Sequence, residues 1–122
     1  MNKEFVPYEE ALALKELGFD EPCFGYYTED KIWRPASYSF EGTEYPFNSI
    51  WPYPTSPTYQ QAFRWFREKY KLRSTIIPYW IGDTYMTVIE GKMIEEIEPK
   101  QFKTYEEAEL ECLRKLIQTL KK

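Results

Sequence analysis

Histidine is absent from this 122-residue chain, and cysteine occurs only twice, at Cys23 and Cys112. Without histidine the chain lacks the commonest general base, the commonest metal ligand and the usual partner of a nucleophilic serine or thiol. Two cysteines so far apart cannot supply the clustered thiolates of a structural zinc site, and they do not make a disulfide framework. Five glycines are scattered singly, which rules out a glycine-rich phosphate loop. No apolar run approaches a membrane span, and the opening "MNKEFVPYEE" holds no signal-peptide core. These gaps predict a cytoplasmic protein with thiols in its core, needing no cofactor or metal, meeting no membrane and catalysing nothing. Carboxylate pairs such as "EEIE" remain, but a chain with 30% charged residues contains them as a matter of course.

The length suits a single domain spanning 1–122, able to bury roughly two-thirds of its unfolded surface without staples. A net charge of −4 argues against the broad phosphate contacts that duplex nucleic acid requires. The charge is uneven, however. "RWFREKYKLR" at 64–73 carries five basic residues against one Glu, whereas 90–111 carries eight acids against three lysines. Such blocks are either solvated helix faces or a local anion-binding patch on an acidic body.

What the chain has in excess is rings: 8 Phe, 11 Tyr and 4 Trp, 19% of all residues. Each ring hides about 150–250 Å² when fully buried, so one small core is not expected to enclose all of them. Tyr and Trp tolerate half-exposure, with an apolar body and a polar tip. Tyr26, Tyr27, Trp33, Tyr38, Tyr45, Phe47, Trp51 and Tyr53 are the candidate recognition surface, since such rings stack on bases and anchor interfaces. Arg34, Arg64, Arg67 and Arg73 are candidates for anion contacts through forked hydrogen bonds. The competing reading makes these rings an extension of the core over a thin sheet.

Along the chain, the pattern predicts a first helix over 8–17, ended by Gly18 in a left-handed conformation with Phe19 as the returning hydrophobe. "CFGYY" reads as a short strand and "IWRPASYSF" as its partner, confined to an edge by Pro35. From 41 to 57 four of the nine prolines interleave with aromatics, which predicts an ordered irregular loop. A second helix over 58–70 places Tyr59, Ala62, Phe63, Phe66 and Tyr70 on one arc, Arg64, Arg67 and Lys71 on a neighbouring arc, and Trp65 on the opposite flank. Strands 75–80 and 85–90 form a hairpin around Gly82-Asp83. A last helix, capped by Thr104 with Glu107, runs nearly to the end. The fold class is therefore α+β: a small antiparallel sheet containing the 75–80/85–90 hairpin, packed by two to three helices and extended by strands 22–27 and 32–40.

"PYEEALALKEL", "TYQQAFRWFREKY" and "TYEEAELECLRKL" open alike, which reads as helix-start chemistry, each cap worth about 1 kcal/mol, and not as a repeated site. Glu109 falls angularly within the apolar arc of the last helix. A half-buried carboxylate there would need a partner, whereas a glutamate leaning out to water is favoured by the helix dipole, and the second reading is preferred.

The blocks "EFVPYEEALALKELGFDEPCFGYY", "PTYQQAFRWFREKYKL" and "TYEEAELECLRKLI" resemble a family of short uncharacterised proteins carried by bacteria and their phages. The resemblance covers roughly half the chain and assigns no binding or catalytic residue. It implies an accessory protein of a phage or mobile element working inside a bacterial host. In that setting the rings and arginines point to a non-enzymatic binder that sequesters a small nucleotide-like host defence signal. Its ligand-binding residues would be Tyr26, Tyr27, Trp33, Arg34, Trp51, Tyr53, Arg64 and Arg67. The alternative is a protein–protein interaction module that uses the same rings to block a host or phage protein. Surplus rings also make a homodimer one way of burying them.

Overall fold

In the computed structural model the described residues are 4–35, 52–79, 84–91, 95–97 and 101–121. They gather into two compact units, Met1–Thr58 and Tyr59–Lys122. The fold is α+β, with three helices and two small antiparallel sheets among the described residues.

In the first unit, helix α1 (Tyr8–Leu17) follows Pro7, whose carbonyl accepts from the Ala11 N–H at 2.8 Å. Proline suits this position because the N–H it lacks would have no helical partner. Gly18 ends the helix at φ 100°, and the Phe19 N–H returns to the Leu14 carbonyl at 3.0 Å. Phe19 is buried, as the helix-stop pattern requires of the residue after a left-handed glycine. Strand β1 (Gly25–Tyr27) lies between β2 (Trp33–Pro35) and β3 (Thr55–Ser56), antiparallel to both. Pro35 sits on the edge strand β2, where a missing N–H is tolerated.

Strand β3 lies inside the stretch expected to be an irregular loop. Thr55 and Ser56 keep their N–H groups between two prolines, and the flanking carbonyls are put to use. Pro54 accepts from the Tyr27 N–H at 3.0 Å and Pro57 accepts from the Val6 N–H at 2.9 Å. The remainder of the expected loop, residues 41–51, lies outside the described residues, as do residues 36–40 of the expected second strand.

The second unit begins with α2 (Tyr59–Tyr70), then the hairpin β4 (Arg73–Tyr79) and β5 (Thr84–Glu90). The register runs from Arg73 opposite Glu90 to Tyr79 opposite Thr84. The turn expected at Gly82-Asp83 lies outside the described residues. A third strand, β6 (Glu95–Ile97), pairs with β5 and was not foreseen. Beyond it the chain returns to β5 through a bridge in which Tyr85 and Phe102 exchange backbone hydrogen bonds of 2.9 and 2.8 Å.

Helix α3 (Tyr105–Leu120) starts as expected. The Thr104 hydroxyl accepts from the Glu107 N–H at 3.1 Å, and the Glu107 carboxylate accepts from the Lys103 N–H at 3.2 Å. Both α2 and α3 pack on the hairpin and on each other. The core of this unit comprises Ala62, Phe63, Trp65, Phe66, Leu72, Ile89, Leu113, Leu116 and Ile117.

One expectation about the sheets is corrected. The strands around 22–27 and 32–40 do not extend the hairpin's sheet; β1 and β2 form a separate sheet with β3. Both edges of β1 are taken within the first unit, and the open edge of β5 is taken by β6. No helix among the described residues is long and apolar enough to cross a membrane.

Candidate functional site

The eight residues expected to bind a ligand fall in both units. In the first, β1 alternates its side chains. Tyr26 is opposite Arg34 on one face of the sheet, while Tyr27 is opposite Trp33 on the other. Tyr26 is half-buried and Arg34 exposed, so this pair keeps an accessible ring beside a guanidinium. Tyr53, just before β3, is also half-buried. Trp51 lies outside the described residues, as do Tyr38, Tyr45 and Phe47.

Tyr27 serves the fold instead. Its side chain is buried, its ring meets Tyr8 edge-on at 5.4 Å, and its hydroxyl donates to the Val6 carbonyl at 2.8 Å. Burial pushes its phenol above the ordinary tyrosine range. Trp33 is half-buried against Phe5, with ring centroids 4.8 Å apart. Its indole sits against Gly25, where an added Cβ would come within 2.4 Å of the indole nitrogen. Glycine is required at that position by the close approach of the ring. The indole N–H is buried and donates to no acceptor among the described residues.

In the second unit Arg64 and Arg67 are exposed, one turn apart on α2. Arg67 joins a second group that composition hinted at only in part. An open pocket of about 470 Å³ is lined by Arg67, Lys71, Arg73 and Gly91. Helix α2 stops at Tyr70, and Lys71 takes a left-handed conformation at φ 60°. The Leu72 N–H then reaches back to the Phe66 carbonyl at 3.2 Å, and the Leu72 side chain is buried. That reversal leaves the Lys71 side chain outside while Leu72 goes in. Arg73 opens β4 on its exposed face, because Ser74 and Ile76 alternate inward. Gly91 completes the rim, and a Cβ there would stand 2.6 Å from the Leu72 side chain.

Three basic residues thus line one concavity of a molecule whose net charge is −4. Glu90 brings a carboxylate to 3.9 Å from the Arg73 guanidinium, with both side chains largely in water. Pockets of roughly 300–1,000 Å³ accommodate ligands of small-molecule size. Guanidinium forks hold phosphate or carboxylate oxygens bidentately, and an ammonium adds a mobile point charge. The arrangement can hold a small anion. Sequence reasoning had marked Arg67, Lys71 and Arg73 as basic but missed Gly91, because nothing local connects residue 91 to the end of α2.

Other reactive groups are sequestered. Cys23 and Cys112 are buried and unbridged, and burial pushes both thiols up to about 12, where they stay protonated at neutral pH. Glu109 is buried at 7% exposure, so the outward-leaning reading is corrected. Desolvation, with Glu106 nearby as a lesser cause, raises its carboxyl to about 7. Trp65, on the flank of α2 opposite the arginines, is buried against Phe66 and Tyr70, with the Lys69 ammonium 5.4 Å from its ring. Among the described residues no group of three or more carboxylates and thiols is gathered as a metal-ligand set. Compared with known protein families, curated proteins and solved structures, the chain matches none.

Proposed function

We propose that this chain is a non-enzymatic binder that holds a small nucleotide-like anion and releases it unchanged. The observation that carries this reading is the pocket formed by Arg67, Lys71, Arg73 and Gly91. Three cations on an acidic body attract a compact anion while the surrounding charge disfavours long polyanions such as duplex nucleic acid. The resemblance to phage-borne proteins gives the reading its setting: the ligand would be a host-made defence signal, and sequestration would silence it.

The test is thermal unfolding against a panel of linear and cyclic nucleotides at low salt. Ligand at 100 times Kd stabilises by about 2.7 kcal/mol, a readily measured rise in Tm. That rise should vanish in the doubly substituted Arg67→Ala, Lys71→Ala protein, and denaturation should return the ligand intact. A flat panel would remove the reading, and a chemically altered ligand would remove its non-enzymatic part.

A second reading, a module that blocks a partner protein, is favoured by one observation in the first unit. Phe24 and Ile32, each immediately before a strand, are 58% and 46% exposed. Large apolar side chains left in water at strand entries suit contact with a protein surface.

A further inference from the structure

We infer that the pocket selects anions carrying two or more negative charges at one end, because the attraction of its three basic residues grows with anion charge and Glu90 offsets only part of it. The inference rests on the anion-binding reading above and names the ligand class for the same site. Arg73 and Glu90 are register partners at the open end of the β4–β5 hairpin, and the carboxylate stands 3.9 Å from the guanidinium. Gly91, the next residue, lines the pocket, so Glu90 sits at its margin. Displacing Glu90 from Arg73 costs the same for any anion, whereas attraction to Arg67, Lys71 and Arg73 grows with the anion's charge. A dianionic terminal phosphate therefore gains more from the pocket than a monoanion does. The pair is easily displaced, since its side chains are 67% and 47% exposed and water-screened pairs contribute little.

Lys71 sharpens the case. At φ 60° it occupies backbone space that glycine fills without steric cost and lysine does not. Glycine at this helix end would satisfy the fold equally well, so what lysine adds is an ammonium at the pocket. Folding and anion affinity can therefore be separated at this one position.

The experiment is titration calorimetry at about pH 8 with three probes: adenosine monophosphate, cyclic adenosine monophosphate and pyrophosphate. A phosphate monoester is dianionic there, its second pKa being about 6, while the cyclic diester carries one charge. The wild-type protein should favour the monophosphate over the cyclic nucleotide by about tenfold or more. Glu90→Gln should widen that preference by about two- to fivefold, because the carboxylate repels a dianion more than a monoanion. Lys71→Gly should weaken the monophosphate by about fivefold or more while leaving Tm equal or higher, an outcome a purely structural lysine would not give. Equal affinity for the two nucleotides, unchanged in Glu90→Gln, overturns the charge selection and leaves the anion pocket standing. Absence of binding by all three probes, pyrophosphate included, overturns the pocket reading itself.

Discussion

The two units of this chain solve the problem of a small interior differently. The second stacks helices on a hairpin and fills the space with large apolar side chains, Phe66 and Leu113 among them, and it also encloses an ionisable carboxyl, Glu109. The first has short strands, and it ties them through side chains that reach the backbone. Its buried Thr55 and Ser56 are hydroxyls with partners in hand, Cys23 for one and the Val6 carbonyl for the other. Volume holds the second unit together and stitching holds the first. The comparison teaches where each is vulnerable: the second to lost volume and to pH, the first to lost fit.

The largest effect expected from breaking this contrast is at Phe66. Phe66→Ala removes a fully buried ring from the centre of the second unit and should cost about 3–5 kcal/mol in urea unfolding. A loss under 1 kcal/mol would mean that the unit does not depend on packing.

Next comes Glu109, whose folded carboxyl titrates at about 7 against an ordinary value of 4.5. Below the lower value both folded and unfolded states hold the proton, and the residue is neutral in effect. Between the two values the folded state keeps a proton the unfolded chain has lost, so stability falls as pH rises through this window. Above about 7 the full cost of the buried charge is present, on the order of 3–4 kcal/mol at ~1.4 kcal/mol per pKa unit. Glu109→Gln should therefore gain on the wild type as pH rises from about 4.5 to 8. A constant difference across that range would show that the carboxyl is not held up by burial.

Gly25→Ala probes the first unit. Its added methyl would press on the Trp33 indole, and overpacking of this kind costs about 1–3 kcal/mol. Trp33 fluorescence read alongside stability would show the ring displaced; a silent substitution would deny the close fit. The smallest effect is at a helix start. Thr104→Ala should cost about 1 kcal/mol by freeing the Glu107 N–H, and a second-unit core variant should leave that cost unchanged if cap and core act independently.

Local signals in the sequence were read well, because they act over one turn of chain. The bounds of α1, the left-handed Gly18, the buried Phe19 and the Thr104 cap all follow from neighbouring residues. The hairpin was also legible, its strands lying within two residues of the expected bounds. What escaped depends on partners distant in the chain. β3 is a strand only because β1 and Val6 meet the carbonyls around it, and two residues between prolines carry no period of their own. A helical wheel places Trp65 on the flank opposite the arginines but cannot say whether that flank is covered, and Trp65 is buried there. The angle of Glu109 was read correctly and its burial was not, since the dipole argument ignores what packs against the helix. The pocket was half visible: "RWFREKYKLR" announced the charges, but neither the left-handed turn at Lys71 nor the arrival of Gly91 is written in that segment.

The Val6 carbonyl accepts from both the Tyr27 and Ser56 hydroxyls, and the Val6 N–H donates to Pro57. Val6 therefore waits for Ser56, 50 positions later, and for Pro57 just beyond it before its bonds can close. On the ribosome the first unit must remain unfinished, the segment around Val6 unclaimed, until the proline-flanked strand has left the exit tunnel, and a pause there would prolong that segment's exposure.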